Sequence, residues 1–346
     1  METQKFVYGQ SGVQGFFGRT SLLEYWYQLI HMFIPGYNFK DMIFVSKTAT
    51  LEDRKGNTPL RSKYKIKAFL PKSIWVSWKS FWHGYMLNAV GLSNPGLAEL
   101  LEKEEWQKRD KEEHFHISVQ LFGSNWEETE KEIKEIARLL KKKLPPEKYN
   151  YDVQINESCP NTGHSTEIDI KKVEEMEKKL ELWKKSMPST KFWLKFNALI
   201  DPKVLVRLKP YCKGYVISNT IPFGSKGSFV KWEKWFEDGR SPLPKRLKKT
   251  GDDAKKFEGG LSGSLIFPIL IRKIAKIQRI DPSIKIIAGG GILTERHINK
   301  LANFKIVKAI TLGTVAVLRP WRVKSLTEHA NKVFAEREKR KKVITN

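Results

Sequence analysis

The chain has 346 residues, of which 40% are hydrophobic and 12% aromatic, so it can form one large core in one or two domains. Its two cysteines, Cys159 and Cys212, exclude a disulfide framework, and no CxxC pair indicates a zinc site, so we expect a reduced, cytoplasmic setting. The net charge of +25 indicates either an acidic partner such as nucleic acid or a lysine-rich solvated surface, and the mixed signs within helical segments favour the second interpretation.

Short β-branched runs alternate with helical patterns along the chain. The predicted strands are, in chain order, Lys5–Gln10, Met42–Lys47, Ile117–Phe122, Tyr151–Asn156, Lys191–Phe196, Gly214–Ser218, Ile284–Gly289 and Val307–Gly313. The predicted helices are Asn125–Lys143, Ile170–Lys185, Asp201–Leu208, Ser264–Gln278 and Thr294–Leu301. Several strands are continuous apolar runs, as parallel strands with a covered outer face require. About eight such βα units predict an α/β fold, a (β/α)8 TIM barrel, with a doubly wound sheet as the alternative.

Two stretches interrupt the alternation. Residues 51–96 include the aromatic run SIWVSWKSFWHGY, and residues 221–258 are rich in aromatic and basic side chains. Long segments after a strand end commonly carry function. We therefore expect a single barrel domain over residues 1–346, with these segments as insertions at its carboxyl-end face and a basic helix or tail near 322–346.

The amino-terminal region has neither a secretory nor a mitochondrial-type leader pattern. The most apolar early stretch, LLEYWYQLIHMFIPGY, contains Glu24 and His31 and is broken at Pro35. Because it is too short and too interrupted to cross a bilayer, we expect no membrane span.

Glycine-rich turns follow the last two predicted strands, in IAGGGILT (287–294) and TLGTVA (311–316), and a third, EGGLSGS, covers 258–264. In a barrel, the loops after the last two strands commonly bind phosphate through backbone N–H groups, which glycine allows to approach closely. The turns therefore predict a phosphate-bearing ligand. Neither a Walker motif nor GxGxxG after a first strand is present, which disfavours a nucleoside triphosphate or a Rossmann dinucleotide.

Polar residues close several of the predicted strands. Lys47 and Lys195 each end an apolar run, where a lysine either reaches the barrel rim or meets an anionic ligand, and two on different strands favour the ligand. Four asparagines lie at strand ends or in turns: Asn88, Asn156, Asn161 and Asn219. Singly they fit turn chemistry, but together they favour a planar ligand with amide edges.

The stretch INESCPNTG (155–163) places Cys159 in a turn directly after a strand, whereas a structural cysteine normally lies inside an apolar run. Cys159 is therefore a candidate for chemistry, and Cys212 is expected to be a small core residue. We expect no metal site from the histidines, because none has a metal-like partner set in the sequence. In particular, the HFH stretch at 114–116 is expected to lead into a strand, and His164 to lie in a solvated loop.

Five blocks together resemble the dihydroorotate dehydrogenase family. The blocks are SKTATLEDRKGN (46–57), LNAVGLSNPG (87–96), NESCPN (156–161), GGLSG (259–263) and GGGI (289–292), and their order matches from about Ser11 to Leu318. The resemblance implies a (β/α)8 barrel that binds FMN and oxidises dihydroorotate to orotate in pyrimidine biosynthesis. It also implies that Cys159 is the base of the soluble, cysteine-dependent class 1 type, which lacks the additional N-terminal helical segment of the membrane-associated class.

The resemblance further implies roles for individual residues. Lys195 is implied as the catalytic lysine beside the flavin. The residues implied to bind the substrate are Lys47, Asn88, Gly91, Leu92, Asn156, Asn161, Asn219 and Thr220. The residues implied to bind FMN are Ser11, Gly12, Lys47, Thr48, Asn156, Lys195, Ser218, Gly263, Ser264, Gly290, Gly291, Gly313 and Thr314.

The resemblance leaves the electron acceptor open. LNAVGLSNPG is closest to the subtype that works with an iron–sulfur flavoprotein subunit and NAD, while fumarate or a quinone remains an alternative, and family members of the soluble kind are usually homodimers or heterotetramers. The rival functions are reduction of uridine in RNA by a dihydrouridine synthase-like barrel, reduction of a free pyrimidine base, and a flavin- or nucleic-acid-binding barrel without catalysis. The intact Cys159, Lys47 and Lys195 argue against the last of these.

Overall fold

Eight parallel strands form a closed barrel in the computed structural model, which describes residues 4–18, 33–58, 60–62, 65–66, 71–157 and 170–345. The strands of these residues are β1 (Val7–Gly9), β2 (Phe44–Val45), β3 (Leu60–Ser62), β4 (Lys65–Ile66), β5 (Ile74–Trp75), β6 (Tyr85–Asn88), β7 (Phe115–Val119), β8 (Tyr151–Asn156), β9 (Phe192–Asn197), β10 (Gly214–Asn219), β11 (Ile221–Pro222), β12 (Gly260–Gly263), β13 (Ile286–Gly289) and β14 (Val307–Leu312). The α-helices are α1 (Trp78–His83), α2 (Leu97–Glu102), α3 (Trp126–Lys143), α4 (Ile170–Ser186), α5 (Pro202–Leu208), α6 (Trp232–Trp235), α7 (Leu243–Arg246), α8 (Asp253–Lys256), α9 (Phe267–Ile280), α10 (Glu295–Ala302), α11 (Thr314–Leu318) and α12 (Val323–Thr345).

The barrel strands follow the order β1, β14, β13, β10, β9, β8, β7 and β2. The barrel closes between β1 and β2, where the Gly9 N–H donates to the Ile43 carbonyl at 3.0 Å and the Ile43 N–H donates to the Val7 carbonyl at 2.7 Å. Because the sheet returns to its first strand, it has no open edge. The predicted (β/α)8 barrel is confirmed, and the doubly wound alternative is wrong.

Helices cover the outer face of the barrel and bury its main core. In α3, the Asn125 side chain accepts a hydrogen bond from the Glu128 N–H at 2.9 Å, which caps the helix at the position that the sequence predicts. The apolar side of α3 (Ile133, Ile136 and Leu140) is fully buried. A smaller apolar cluster, which includes residues of β1, β2, β9, β10, β13 and β14, consists of Tyr8, Ile43, Val45, Trp193, Val216, Ile287 and Ala309.

The two irregular segments meet in a second sheet. Strands β11, β12, β6 and β5 form an antiparallel sheet, in which Asn88 of β6 pairs with Gly260 of β12. Aromatic side chains from both segments pack together, with Tyr85 5.4 Å from Trp235 and 5.7 Å from Phe236 between ring centroids. This packing joins the segment around 51–96 to that around 221–258, so the chain stretches that the sequence leaves irregular form one structural unit.

The C-terminal basic segment forms α12, which packs back onto the barrel. The Phe334 ring stacks on Phe6 at 6.0 Å, and the Arg337 guanidinium donates to the Val307 carbonyl at 2.6 Å. None of the described helices is long and apolar enough to cross a membrane.

The structure corrects one expectation about the HFH stretch. Strand β7 begins at Phe115, two residues earlier than predicted, and its register places His116 opposite Asp152 of β8. As a result, ligand atoms of His114, His116 and Asp152 all lie within 4.8 Å of one another, a partner set that is not visible in the sequence. The sequence separates Asp152 from the two histidines by more than thirty positions, and only the strand register brings them together.

Candidate active site

A cavity of about 230 Å³ opens at the carboxyl end of the barrel strands. Most of the residues that the sequence predicts for substrate or cofactor binding line it together. These residues are Ser11, Gly12, Lys47, Thr48, Asn88, Gly91, Leu92, Asn156, Lys195, Asn219, Thr220, Gly263, Gly290, Gly291, Gly313 and Thr314. They come from seven strand ends and from the antiparallel sheet, because parallel strands deliver their carboxyl ends to one face of a barrel.

Four predicted site residues are not among the lining residues. Ser264 follows β12, and its N–H donates to the Gly84 carbonyl at 2.9 Å, so this backbone donor is already used. Ser218 lies within β10. Cys159 and Asn161 lie outside the described residues, as does His164, so their predicted roles stay predictions.

A chain of side-chain amides fixes the floor of the cavity. Asn219 donates through Nδ2 to Oδ1 of Asn156 at 2.8 Å, and Asn156 donates through Nδ2 to Oε1 of Gln120 at 3.0 Å. The Thr220 N–H donates to Oδ1 of Asn219 at 3.0 Å. All three amide side chains are buried. Each bond orients the next, so the cavity presents amide groups with fixed orientations to a ligand.

The two predicted lysines are buried at the cavity. Lys47 is 6% exposed and Lys195 is 4% exposed. Nζ of Lys47 donates to the Ser93 carbonyl at 2.6 Å and lies 4.7 Å from the centroid of the Phe16 ring. Burying an ammonium group is costly unless it meets hydrogen-bond acceptors or negative charge. Two buried lysines on one cavity therefore suit a ligand that carries or develops negative charge.

Hydroxyl groups connect the ends of β1, β2 and β7 beside the lysines. Oγ of Ser11 donates to the Ser46 carbonyl at 2.9 Å and lies 2.9 Å from Oγ1 of Thr48. Oγ1 of Thr48 in turn lies 2.8 Å from Oγ of Ser118. This short network holds Ser11 and Thr48 at the wall of the cavity.

Two glycine turns that line the cavity lie against each other. Gly263 has φ of +103° and Gly291 has φ of +75°, and residues with a Cβ rarely adopt such backbone angles. A Cβ at Gly263 would clash with the Gly84 carbonyl oxygen, and a Cβ at Gly291 would clash with the carbonyl oxygen of Gly263. Glycine is therefore required at both positions, and the backbone itself forms this side of the cavity.

Sequence reasoning missed several lining residues. The polar ones are Gln10, Thr58, Ser262 and Thr311, and the apolar ones include Ile74, Met86, Val90, Ile266, Ile292 and Val317. Gln10 and Thr311 could have been found, because each lies at or near the carboxyl end of a predicted strand, and Oγ1 of Thr311 donates to Oε1 of Gln10 at 2.9 Å. Most of the apolar residues belong to the antiparallel sheet or to turns, for which the sequence pattern gives no signal.

The fold and the cavity define a (β/α)8-barrel protein with a cationic, amide-lined site at the carboxyl face. The family model for dihydroorotate dehydrogenase matches residues 79–298, which is more than half of the sequence. The chain belongs to the dihydroorotate dehydrogenase family.

Individual relatives agree with this assignment. The chain is 25% identical over 211 residues to the catalytic subunit of dihydroorotate dehydrogenase B (NAD(+)) of Thermotoga maritima, a match that covers 60% of this chain and 64% of the relative. It is 26% identical over 216 residues to dihydroorotate dehydrogenase A (fumarate) of Lactobacillus delbrueckii subsp. bulgaricus, a match that covers 62% of this chain and 61% of the relative. The matched part thus spans less than two thirds of these relatives.

A solved structure shares the fold. The crystal structure of the dihydroorotate dehydrogenase of Eimeria tenella in complex with ferulenol superposes with a TM-score of 0.58 at 15% identity, covering 85% of this chain and 75% of that chain. At this identity the likeness supports the barrel fold alone.

Proposed function

We propose that this protein is an FMN-dependent dihydroorotate dehydrogenase, which oxidises dihydroorotate to orotate in de novo pyrimidine biosynthesis. The observation that carries the proposal is the single cavity in which Lys47, Lys195 and the amides of Asn156 and Asn219 meet the stacked glycine turns. The family is flavin-dependent in general, and this cavity offers the donors that both a flavin and a pyrimidine carboxylate require.

The cavity fits FMN on chemical grounds. The backbone turns at Gly263 and Gly291 leave no room for a Cβ, and the turns at Gly290 and Gly313 also line the cavity, so N–H groups could approach a phosphate closely. Ser11, Thr48 and Lys195 would hold the isoalloxazine and ribityl groups. When bound, FMN supplies N5 as the acceptor of the hydride from C6 of the substrate. Lys195 would stabilise the negative charge that accompanies this reduction.

The amide chain and Lys47 would hold the substrate. Asn156 and Asn219 are oriented by their own hydrogen bonds, so they can donate to and accept from the imide edge of a pyrimidine ring without first reorganising. Lys47 would neutralise the carboxylate of dihydroorotate, with Asn88, Gly91 and Leu92 beside it. Cys159 would remove the proton from C5 as a thiolate, a role that rests on the NESCPN motif and on a cysteine's accessible pKa.

Substitution of the two cysteines tests the proposal. We expect Cys159→Ala to retain FMN but to lose dihydroorotate oxidation by about 10²–10⁴-fold, the usual contribution of a general base. Cys212→Ala is the matched control: burial raises the pKa of this half-buried thiol to about 11, and its Sγ donates to the Leu208 carbonyl, away from the cavity. Full turnover in Cys159→Ala, or the same loss in both variants, would contradict the assignment.

The electron acceptor is the second part of the proposal. The names of the relatives specify fumarate for one type and NAD(+) for the catalytic subunit of another. We propose that this protein passes electrons to one of these acceptors, the second through an iron–sulfur flavoprotein subunit, within a homodimer or heterotetramer. Orotate formation with purified protein and fumarate alone would identify the first type, whereas a requirement for a co-purifying flavoprotein and NAD would identify the second. Turnover with a quinone only would contradict both.

A further inference from the structure

A polar cluster lies at the amino-terminal end of the barrel, away from the cavity described above. It contains His114, directly before β7, His116 within β7, and Asp152 near the start of β8. Asp152 is four residues before Asn156 on the same strand, which is about 13 Å at roughly 3.3 Å per residue. The proposed function uses none of these groups, so any role of the cluster is separate from the dehydrogenase reaction.

The spacing in the cluster is unlike that of hydrogen bonds. Nε2 of His114 lies 3.4 Å from Oδ2 of Asp152, and Nε2 of His116 lies 3.7 Å from the same oxygen. Good N–H···O hydrogen bonds measure about 2.7–3.2 Å. In a tetrahedral site with metal–ligand bonds of about 2.0–2.2 Å, neighbouring donor atoms lie about 3.4 Å apart. The two distances therefore fit two edges of such a site.

His116 provides an independent observation. Its side chain is fully buried, and among the residues that the structure describes neither ring nitrogen has a hydrogen-bond partner. A buried polar group without a partner costs about 1–3 kcal/mol, and such groups are rare in native proteins. Its Nε2 faces the buried carboxylate of Asp152, which is 4% exposed. An additional group bound between these two atoms would give Nε2 of His116 a partner.

We propose that His114, His116 and Asp152 bind a divalent transition-metal ion, such as Zn²⁺, at the amino-terminal end of the barrel. Two imidazole nitrogens and one carboxylate favour zinc, cobalt or nickel over magnesium or calcium, which prefer oxygen ligands. The ion joins β7 to β8 where no reaction takes place, so its role is structural. Trp193 stabilises the carboxylate, since its Nε1 donates to Oδ2 of Asp152 at 2.8 Å.

Substitution of Lys213 is expected to have the opposite effect on metal binding from substitution of a ligand. Its Nζ lies 3.0 Å from Oδ2 of Asp152, so the ammonium group competes with a metal ion for the same carboxylate. The Lys213 side chain is 33% exposed and lines an open cavity at this end of the barrel, so it can move towards solvent. Removing this charge should therefore strengthen metal binding, whereas removing a ligand should weaken it.

The test is Co²⁺ binding to untagged, full-length protein from which metals have been removed with a chelator. We expect one Co²⁺ per chain with the visible absorption of a tetrahedral site, displacement by Zn²⁺, and a higher melting temperature with either ion. His114→Ala and Asp152→Asn should weaken binding by more than about tenfold, and Lys213→Met should tighten it. His114 is the primary variant, because its side chain is 26% exposed and its loss should leave the barrel folded.

A surface histidine supplies the control. His329 lies near Glu295, with Nδ1 3.7 Å from Oε2, and is not one of the cluster residues, so His329→Ala should bind Co²⁺ as the unmodified protein does. Failure of the unmodified protein to bind Co²⁺ or Zn²⁺, or unchanged binding in a folded His114→Ala, would overturn the proposal. Because these readouts need neither flavin nor substrate, their failure would not affect the proposed function.

Discussion

Replacing His116 with phenylalanine should remove much of the acid sensitivity of the metal-free protein. Burial lowers the pKa of His116 to about 3. The Asp152 carboxylate opposes this shift, while His114 and Lys213 reinforce it. Tyr8 and Trp193 pack against the imidazole at 4.8 and 5.9 Å between ring centroids. A phenyl ring would fit this aromatic environment without titrating.

The magnitude follows from the two pKa values. Unfolded histidine has a pKa of about 6.5, so between pH 6.5 and 3 the unfolded chain binds a proton that the folded chain does not. Stability therefore falls as the pH is lowered through this window. At about 1.4 kcal/mol per pH unit, the unmodified protein should lose about 3 kcal/mol of unfolding free energy between pH 7 and pH 4 through His116 alone.

The assay is urea unfolding, followed by tryptophan fluorescence, at about pH 7 and about pH 4 in the presence of a chelator. His116→Phe should lose about 3 kcal/mol less stability over this interval than the unmodified protein. Asp152 does not obscure the comparison. Burial opposes a decrease in its pKa, but the nearby His114, His116 and Lys213 still lower it, so its contribution is lost mainly below about pH 4. Equal losses in both proteins would show that His116 is not the source of this acid sensitivity.

Three further predictions concern the cavity. Gly291→Ala should lower FMN retention and reduce the free energy of unfolding by about 1–3 kcal/mol, because Gly291 has φ of +75° and a Cβ there would clash with Gly263. Flavin content and urea unfolding measure the two effects. Gly227→Ala is the control, because nothing lies within 4 Å of a Cβ added there. Gln120→Leu should raise the KM for dihydroorotate, because Nδ2 of Asn156 loses its partner; an unchanged KM would contradict the role of the amide chain. Lys47→Met should raise the KM for dihydroorotate more than the KM for the electron acceptor in steady-state assays, and equal effects on both would argue against carboxylate binding.

The barrel could be predicted from the sequence because its strands are nearly continuous apolar runs. All eight predicted barrel strands overlap the observed ones, and the bounds of β8 (Tyr151–Asn156) agree fully. The observed strand ends differ from the predicted ones where strand pairing determines them. Strand β2 covers only Phe44–Val45 of the predicted strand Met42–Lys47, because only these two residues pair with β7. Periodicity reports which residues can be buried, but pairing depends on neighbours that are distant in sequence.

The antiparallel sheet could not be predicted in the same way. Tyr85–Asn88 of β6 pairs with Gly260–Gly263 of β12, which follows about 170 residues later and reads as a glycine turn. The strand that pairs with β6 is therefore not its neighbour in a hairpin, and the residues of a local turn give no signal for this pairing. The same limit explains the cavity residues Ser262 and Met86, which belong to these two strands.

The candidate site was predictable where polar residues end a barrel strand. Lys47, Asn156, Lys195 and Asn219 carry this signal, and all four line one cavity. Gln120, which orients Asn156, lies within the predicted strand Ile117–Phe122, where one polar residue does not stand out. The pair of His116 and Asp152 was missed for a related reason, because strand register alone brings them together.

The most direct test of the proposed function is an anaerobic titration of the FMN-loaded protein with dihydroorotate, followed by the visible absorption of the flavin. We expect the oxidised flavin band to bleach with one equivalent of dihydroorotate and orotate to form in the same amount. A bound flavin that stays oxidised in excess dihydroorotate would contradict the proposed substrate, and failure to bind FMN at all would contradict the interpretation of the glycine turns.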